Sequence, residues 1–283
     1  MRRISLKVAA LVPLLIAGLN ARAIEEVNGV YQIGTPQELT EFSELVNSGN
    51  TSANAVLTAD IDLSGVENFT PIGAHYKTPY VGTFDGCGHI ISNLNIDLNV
   101  RAETGLFYRI SGTVQTLGIV NATVKNPGGW RVGVIGGCSV GGTLANCFTA
   151  GDIVLECAQK GGFCGLLQNT TIKSCYTTYE KMGDCEDDTT ADNCYWGDGV
   201  VSMAPTGELC YKLNGDQKDI VWYQTIGEDT YPVVDNSHKQ VYAAGDLNCD
   251  GQVKPGGTLT FSNTKTQEIP AHHFVDGICT ECG

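Results

Sequence analysis

Residues 105–107 are Gly-Leu-Phe, residues 133–135 are Gly-Val-Ile and residues 162–164 are Gly-Phe-Cys, and this recurrence is the main indication of the fold. The three copies begin at almost equal intervals along the chain. Each unit contains two short strands around a glycine-rich bend and cannot bury its apolar side alone. Successive units must therefore stack as parallel strands about 4.8 Å apart, which predicts a β-solenoid.

A second recurring pair predicts which side chains face the interior of the coils. Its copies are Asn93-Leu94, Thr116-Leu117, Asn146-Cys147 and Ser174-Cys175, and Asn193-Cys194 extends the series. Equivalent residues of stacked coils lie over one another. We therefore predict an inward column of Leu94, Leu117, Cys147, Cys175 and Cys194. Beside it, near a bend, we predict an amide column of Asn93, Asn146 and Asn193.

The cysteines of this column have three interpretations. Buried free thiols are favoured, because cysteine can replace leucine as a small buried hydrophobic residue. A disulfide within the column is the second interpretation, since neighbouring coils approach disulfide distance although their side chains run parallel. A catalytic thiolate is the least favoured, because it needs an exposed, electropositive setting.

The regions before the coils are an export signal and a capping helix. Arg2, Arg3 and Lys7 precede an apolar run that ends at Ala21-Arg22-Ala23, the pattern of a cleaved secretory signal peptide. Thr35 followed by Pro36 and Glu38 predicts a helix start. The sequence thus divides into a signal peptide (1–23), an amino-terminal strand and helix (24–54), β-helix repeats (55–200), a carboxyl-terminal capping segment (201–244) and a Cys/His tail (245–283).

Charge and composition limit the class of partner. The formal net charge is −14 for the whole chain and −18 without the leader, which contains four basic and no acidic residues. Such a chain is repelled by nucleic acid and anionic membranes. The 35 glycines indicate a turn-rich β architecture, and no apolar stretch of the mature chain reaches the roughly 20 residues of a membrane-spanning helix.

The ordered combination of motifs resembles the GLUG-motif family of exported and surface proteins of Gram-negative anaerobes. It comprises residues 59–63 (Ala-Asp-Ile-Asp-Leu), 70–73 (Thr-Pro-Ile-Gly), 82–91 (Gly-Thr-Phe-Asp-Gly-Cys-Gly-His-Ile-Ile) and the Gly-Leu-Phe repeats. The resemblance covers about residues 28–200. It implies an all-β, right-handed parallel β-helix with an amino-terminal capping helix, and an adhesin-like or other surface function. Some long relatives carry a metallopeptidase, but its His-Glu-x-x-His motif is absent from this sequence.

The tail carries a candidate zinc site. Cys279 and Cys282 form a Cys-x-x-Cys-Gly knuckle, and two more ligands are expected from Cys249 and from His272 or its neighbour His273. A disulfide and free thiols are the alternatives. Calcium is not favoured: the loop from Asp246 resembles the start of a calcium loop but has Gly257 at the position of its last acidic ligand. The acidic stretch 184–192 indicates a solvated loop.

No catalytic constellation is evident in the sequence. Residues 137–141 match the Gly-x-Ser-x-Gly pattern of hydrolases, but a strand instead of a helix is expected to follow. We therefore expect a non-catalytic secreted or cell-surface protein, with the periplasm as a further location, that binds a glycan or a host surface protein. The alternatives are a β-helix polysaccharide lyase or hydrolase and a structural spacer. The clustering of Arg101, Arg109 and Arg131 beside Asp97 or Asp152 would favour the enzyme.

Overall fold

A computed structural model describes residues 24–73, 77–215, 217–249, 254, 256–265, 272–275 and 278–279. The predicted signal peptide and Cys282 lie outside these ranges. The amino-terminal elements are β1 (Glu25–Val27), β2 (Val30–Ile33), α1 (Pro36–Asn47), β3 (Asn54–Leu57) and β4 (Ile61–Asp62).

The coils follow these elements in chain order. Their strands are β5 (Thr83–Asp85), β6 (Ile90–Ser92), β7 (Asn95–Asp97), β8 (Glu103–Thr104), β9 (Phe107–Ile110), β10 (Thr113–Gln115), β11 (Gly118–Lys125), β12 (Arg131–Gly133), β13 (Gly136–Val140), β14 (Thr143–Ala145), β15 (Phe148–Glu156), β16 (Gln159–Gly161), β17 (Cys164–Gln168), β18 (Thr171–Lys173), β19 (Tyr176–Thr177), β20 (Asp184–Glu186), β21 (Thr190–Asp192) and β22 (Tyr195–Trp196).

The remaining elements belong to the carboxyl-terminal segment and the tail. They are α2 (Asp198–Met203), α3 (Glu208–Asn214), β23 (Tyr242–Gly245), β24 (Leu259–Ser262), β25 (Phe274–Val275) and β26 (Ile278–Cys279).

The coils form a β-solenoid of about five turns, which confirms the predicted all-β fold class. Equivalent strands of successive turns pair in parallel, as in the orders β3-β5-β10-β14-β18-β21 and β20-β17-β13-β9. Two further sheets complete the coils. The third has the order β22-β19-β15-β11-β6-β4, and the short fourth has the order β16-β12-β8. One continuous apolar core fills the interior, from Ile33 at the start to Met182 near the end.

Helix α1 closes the amino-terminal end of this core, as predicted. The Thr35 side chain accepts a hydrogen bond from the Glu38 backbone N–H at 3.2 Å, so the cap satisfies an N–H that the first turn leaves unpaired. The helix then buries Leu39, Phe42 and Val46. Because the Phe42 ring lies 5.9 Å from the Phe84 ring of the first coil, the apolar face of the helix covers the open end of the stack.

The inward column is continuous from Leu117 onward. Pairing of Gly118 with Phe148, Phe148 with Tyr176 and Tyr176 with Tyr195 places the preceding residues Leu117, Cys147, Cys175 and Cys194 over one another. The first three are buried and Cys194 is half-buried at the last coil. Cys147 and Cys175 are not disulfide-bonded, and Cys147 N–H donates to Cys175 Sγ at 3.3 Å.

The prediction is wrong for Leu94 and Asn93, which belong to other columns. Asn95 pairs with Thr123, so Leu94 lies over Ala122 and Asn93 over Asn121. The first coil inserts the turn Gly86–His89 where later coils have only Thr116 and Leu117, because Asp85 pairs with Gln115 while Ile90 pairs with Gly118. The step from Leu94 to Leu117 is shorter than the later steps because it does not join equivalent positions.

Asn146 and Asn193 do share one corner, with Ser174 between them. Thr116, Asn146, Ser174 and Asn193 all have positive φ, between 46° and 53°. Asparagine tolerates this left-handed conformation better than most residues, so the corner favours Asn in some coils. Asn193 Nδ2 donates to Ser174 Oγ at 3.2 Å, and the amide column is therefore interrupted by a hydroxyl.

The glycine repeat is also displaced by one position in its third copy. Gly133 pairs with Gly161 instead of Gly162, and Gly136 with Cys164, so Ile135 lies over Phe163. Both Ile135 and Phe163 are fully buried. The glycine spacing therefore does not give the register of the core positions, and the side chains that fill the core are Leu106, Ile135 and Phe163.

Residues 198–245 lie along the side of the coils, and not over their carboxyl end alone as the predicted cap would. They form a second apolar core with the outer face of β15 and β19, in which Trp222 is fully buried. Its ring centroid lies 6.0 Å from that of Phe148 and 5.5 Å from that of Tyr176, and Trp222 Nε1 donates to Asn146 Oδ1 at 3.1 Å. We call residues 198–245 the lateral cover.

Candidate binding face and metal-ligand cluster

One seam between two sheets of the solenoid contains a buried carboxylate. Glu103 in β8 is fully buried, in the seam between the short sheet β16-β12-β8 and its neighbour β20-β17-β13-β9. The seam is narrow because Gly137 in β13 has no side chain there: a Cβ on it would lie 2.2 Å from Thr104 N and 2.7 Å from Glu103 Cβ. Gly137 thus leaves the space that Glu103 and Thr104 occupy.

Two arginines from adjacent coils neutralise this carboxylate. Arg109 donates from Nε to Glu103 Oε2 at 2.9 Å and from Nη2 to Oε1 at 2.7 Å, a bidentate pair. Arg131, one coil further on, donates from Nη1 to Glu103 Oε1 at 2.9 Å and from Nε to Gln159 Oε1 at 3.0 Å. The hydrogen bonds with Glu103 raise the pKa of Arg109 above its usual value.

Together, the side chains of Glu103, Arg109 and Arg131 carry a net positive charge at a partly exposed surface. The Arg109 and Arg131 side chains are 23% and 28% exposed, and one buried carboxylate balances only one of the two charges. Cys138 pairs with Arg109 in the adjacent coil. Burial and the nearby Glu103 raise the pKa of the Cys138 thiol to about 12, so this thiol is not an activated nucleophile.

An aromatic side chain stands at the corner that leads into this seam. Trp130, which precedes Arg131, is 45% exposed. Its backbone N–H donates to the Ala102 carbonyl at 3.0 Å, and its counterpart in the next coil is Ala158, since Arg131 pairs with Gln159. Small residues therefore flank the indole on both sides. Val100, at the same corner of the preceding coil, is 52% exposed.

The sequence did not predict the pairing of these arginines with Glu103. Arg109 and Arg131 converge on Glu103, and neither is paired with Asp97 or Asp152 among the described ion pairs. Arg101 remains exposed at the corner. Glu103 and Arg131 are separated by one coil, and opposite charges at the spacing of the repeat are the signal that could have predicted the pair.

The tail brings three of the four predicted metal ligands together. Cys249 Sγ lies 3.0 Å from His272 Nδ1 and 3.3 Å from Cys279 Sγ, and all three ligand atoms lie within 4.8 Å of one another. Cys279 is buried, Cys249 half-buried and His272 exposed. The fourth predicted ligand, Cys282, lies outside the described residues.

The other candidate motifs hold structural contacts. In the acidic stretch, Asp184 pairs with Lys181 at 2.7 Å and Asp187 accepts from Gln168 Nε2 at 2.6 Å. In the Gly-x-Ser-x-Gly match, Ser139 is fully buried within β13 and accepts a hydrogen bond from Thr170 Oγ1 at 3.0 Å. The start of the calcium-like loop, Asp246, is exposed, and its Asp250 lies outside the described residues.

Comparison with known proteins supports the fold and identifies a distant relative. No family model matches the sequence. Halomucin from Haloquadratum walsbyi is 36% identical over 160 residues, which is 49% of this chain and only 2% of Halomucin. The crystal structure of a "putative immunoglobulin A1 protease" from Bacteroides ovatus superposes with a TM-score of 0.51 at 17% identity, over 72% of this chain and 91% of that one. That likeness concerns the fold alone.

Among the residues that the structure describes, no helix combines the length and apolarity needed to cross a bilayer.

Proposed function

We propose that this chain is a non-catalytic, exported surface module that binds a glycan through the corner formed by Trp130 and the Arg109–Arg131 pair. The proposal rests chiefly on the exposed Trp130, which directly precedes Arg131 in the chain, and on the net positive, pre-ordered guanidinium pair in a chain of net charge −14. Aromatic faces and arginine forks are enriched where proteins make specific contacts. The similarity to Halomucin supports a surface or extracellular location, since its name is that of a mucin.

A fixed arginine pair suits a ligand with acidic groups. Glu103 holds Arg109 and Arg131 in defined orientations, so little conformational entropy is lost when they meet an acidic sugar. The rest of the surface is negatively charged and would repel an acidic ligand. Such a ligand would therefore bind selectively at the corner that carries the two arginines. The membership in the GLUG-motif family that the motifs imply is part of the same proposal.

The experiment compares two tryptophans of nearly equal exposure. Trp130 is 45% exposed at the corner, and Trp196 is 44% exposed in β22, outside it. The mature chain is applied to arrays of neutral, sialylated, uronic and sulfated glycans and to host mucins. We expect binding to acidic glycans that Trp130→Ala weakens roughly tenfold or more, because a central aromatic contact contributes about 2 kcal/mol. Trp196→Ala should bind as the unaltered chain does.

Three results would contradict the proposal. Equal binding by the Trp130→Ala and unaltered chains would move the site elsewhere. Binding to no glycan or mucin would favour a structural spacer. Release of unsaturated sugars from an acidic polysaccharide would establish a lyase, for which the β-solenoid fold alone is only an analogy.

A further inference from the structure

We infer that Cys249, His272 and Cys279 bind a zinc ion that fastens the last hairpin of the chain to the sheet before it. The three ligands come from separate parts of the tail. Cys249 follows β23, His272 precedes β25, and Cys279 ends β26. Their ligand atoms nevertheless converge on one point, with the 3.0 and 3.3 Å separations given above.

The donor set selects the metal. Two sulfurs and one imidazole nitrogen are ligands for zinc and other soft or borderline ions, while calcium and magnesium require oxygen. With zinc–sulfur bonds of about 2.3 Å and zinc–nitrogen bonds of about 2.0 Å, tetrahedral ligands lie roughly 3.5–3.8 Å apart. The separations of Cys249 Sγ from His272 Nδ1 and from Cys279 Sγ need to lengthen by only about half an ångström to receive the ion. Cys282, which completes the Cys-x-x-Cys spacing with Cys279, is the sequence-based candidate for the fourth position.

The hairpin itself supplies an independent reason for a metal. Strands β25 and β26 have two residues each, and the apolar side chains Phe274, Val275 and Ile278 are 63%, 51% and 63% exposed. A two-stranded hairpin without a buried face is not stable in water on its own. Metal binding contributes folding free energy to small segments of this kind, and here it would hold a hairpin whose described apolar side chains Phe274, Val275 and Ile278 are exposed.

A Cys249–Cys279 disulfide is the competing chemistry. It would join the same strands, but it would use only two of the three convergent groups and would not account for the position of His272. A disulfide also requires the sulfurs to approach from 3.3 Å to about 2.05 Å. The convergence of a third ligand atom favours the ion.

The test measures zinc and thiols on the same preparations. The full mature chain is reduced, exposed to an excess of zinc, passed through a desalting column and analysed by elemental mass spectrometry. We expect about one zinc per chain in the unaltered protein and close to none in Cys249→Ser and Cys279→Ser. Cys157→Ser, at a half-buried cysteine outside the cluster, is the matched control and should retain the ion.

A second measurement keeps the inference falsifiable if a variant is poorly expressed. Cobalt added to the reduced, unaltered chain should give the absorption of thiolate-ligated tetrahedral cobalt. Limited proteolysis should cut the tail after chelation while the coils stay intact. The inference is overturned if the reduced chain takes up neither ion, if both serine variants keep zinc, or if the natively exported protein contains an intact Cys249–Cys279 disulfide. Glycan binding does not enter any of these readouts.

Discussion

The thiols of individual cysteines in this protein differ mainly in their burial and in the hydrogen bonds they make. Cys164 and Cys175 are fully buried, and burial raises the pKa of both thiols well above the usual value. At the last coil, a hydrogen bond from Cys175 lowers the pKa of the Cys194 thiol. The column of Cys147, Cys175 and Cys194 therefore has an inert thiol at Cys175 and a more acidic one at its end, at Cys194.

These pKa shifts predict the order of alkylation under reducing conditions. The thiolate is the reactive form, so Cys194 should react at lower pH than an ordinary thiol, and its labelling rate should rise with pH until its lowered pKa is passed. Cys164 and Cys175 should be modified only when the chain unfolds. Peptide mass spectrometry over a time course measures each rate separately. Labelling of Cys175 as fast as Cys194 in the folded protein would show that the column is not packed as described.

At the level of strands and turns, glycines determine how closely neighbouring sheets approach each other. Gly137 and Gly165 occupy equivalent positions of adjacent coils, as the pairing of Cys138 with Leu166 shows. A Cβ on Gly165 would lie 2.7 Å from Val132 N and 2.8 Å from Arg131 Cβ. Gly137 and Gly165 are therefore required by the close approach of neighbouring strands, and not by an unusual φ.

Gly137→Ala should destabilise the protein strongly for this reason. The added methyl group would press on backbone atoms of β8 that cannot rotate away, and such overpacking costs about 3 kcal/mol or more. Gly65→Ala is the control, because no atom lies within 4 Å of a Cβ there. Chemical denaturation gives the free energy of unfolding of both variants. If Gly137→Ala proved as stable as Gly65→Ala, the sheets that contain β8 and β13 would have to lie further apart than the structure shows.

The same elements show why some features follow from the sequence and others do not. Helix α1 was predictable because its cap and its apolar spacing are local. The column from Leu117 to Cys194 was predictable because coils repeat. Leu94 was misplaced because one inserted turn shifts the frame, and spacing alone does not reveal on which side of Asn93 the insertion lies.

On the scale of the whole molecule, the stack of coils is closed by parts of the chain from outside the repeats. Helix α1 covers its first end, and the lateral cover packs on the outer face of one sheet from Ile90 in the first coil to Tyr195 in the last. Gly118 leaves room there for the Phe148 ring, which stacks on Tyr176 with an interplanar angle of 9°. The sequence did not predict the packing of the lateral cover on this sheet, because Asn146 and Trp222, which a hydrogen bond joins, are far apart along the chain.

Trp222 is the side chain on which the lateral cover depends most. It is fully buried against the stacked rings of Phe148 and Tyr176, so Trp222→Ala should remove about 3–5 kcal/mol from the free energy of unfolding of the cover. Hydrogen exchange followed by mass spectrometry should show faster exchange in α3 and in the outer strands β15 and β19. Protection of α1 should not change, because its contacts with Phe84 and Tyr80 lie at the far end of a separate core.

The exposed Trp196 supplies the control for this substitution. Trp196→Ala should lower the free energy of unfolding much less than Trp222→Ala does, since 44% of Trp196 is already in contact with solvent. Uniformly faster exchange across α1 and the cover in Trp222→Ala would show instead that the coils and the cover unfold as one cooperative unit. In that case the cover would be as necessary to the solenoid as the stacked repeats, and the isolated coils would not fold without it.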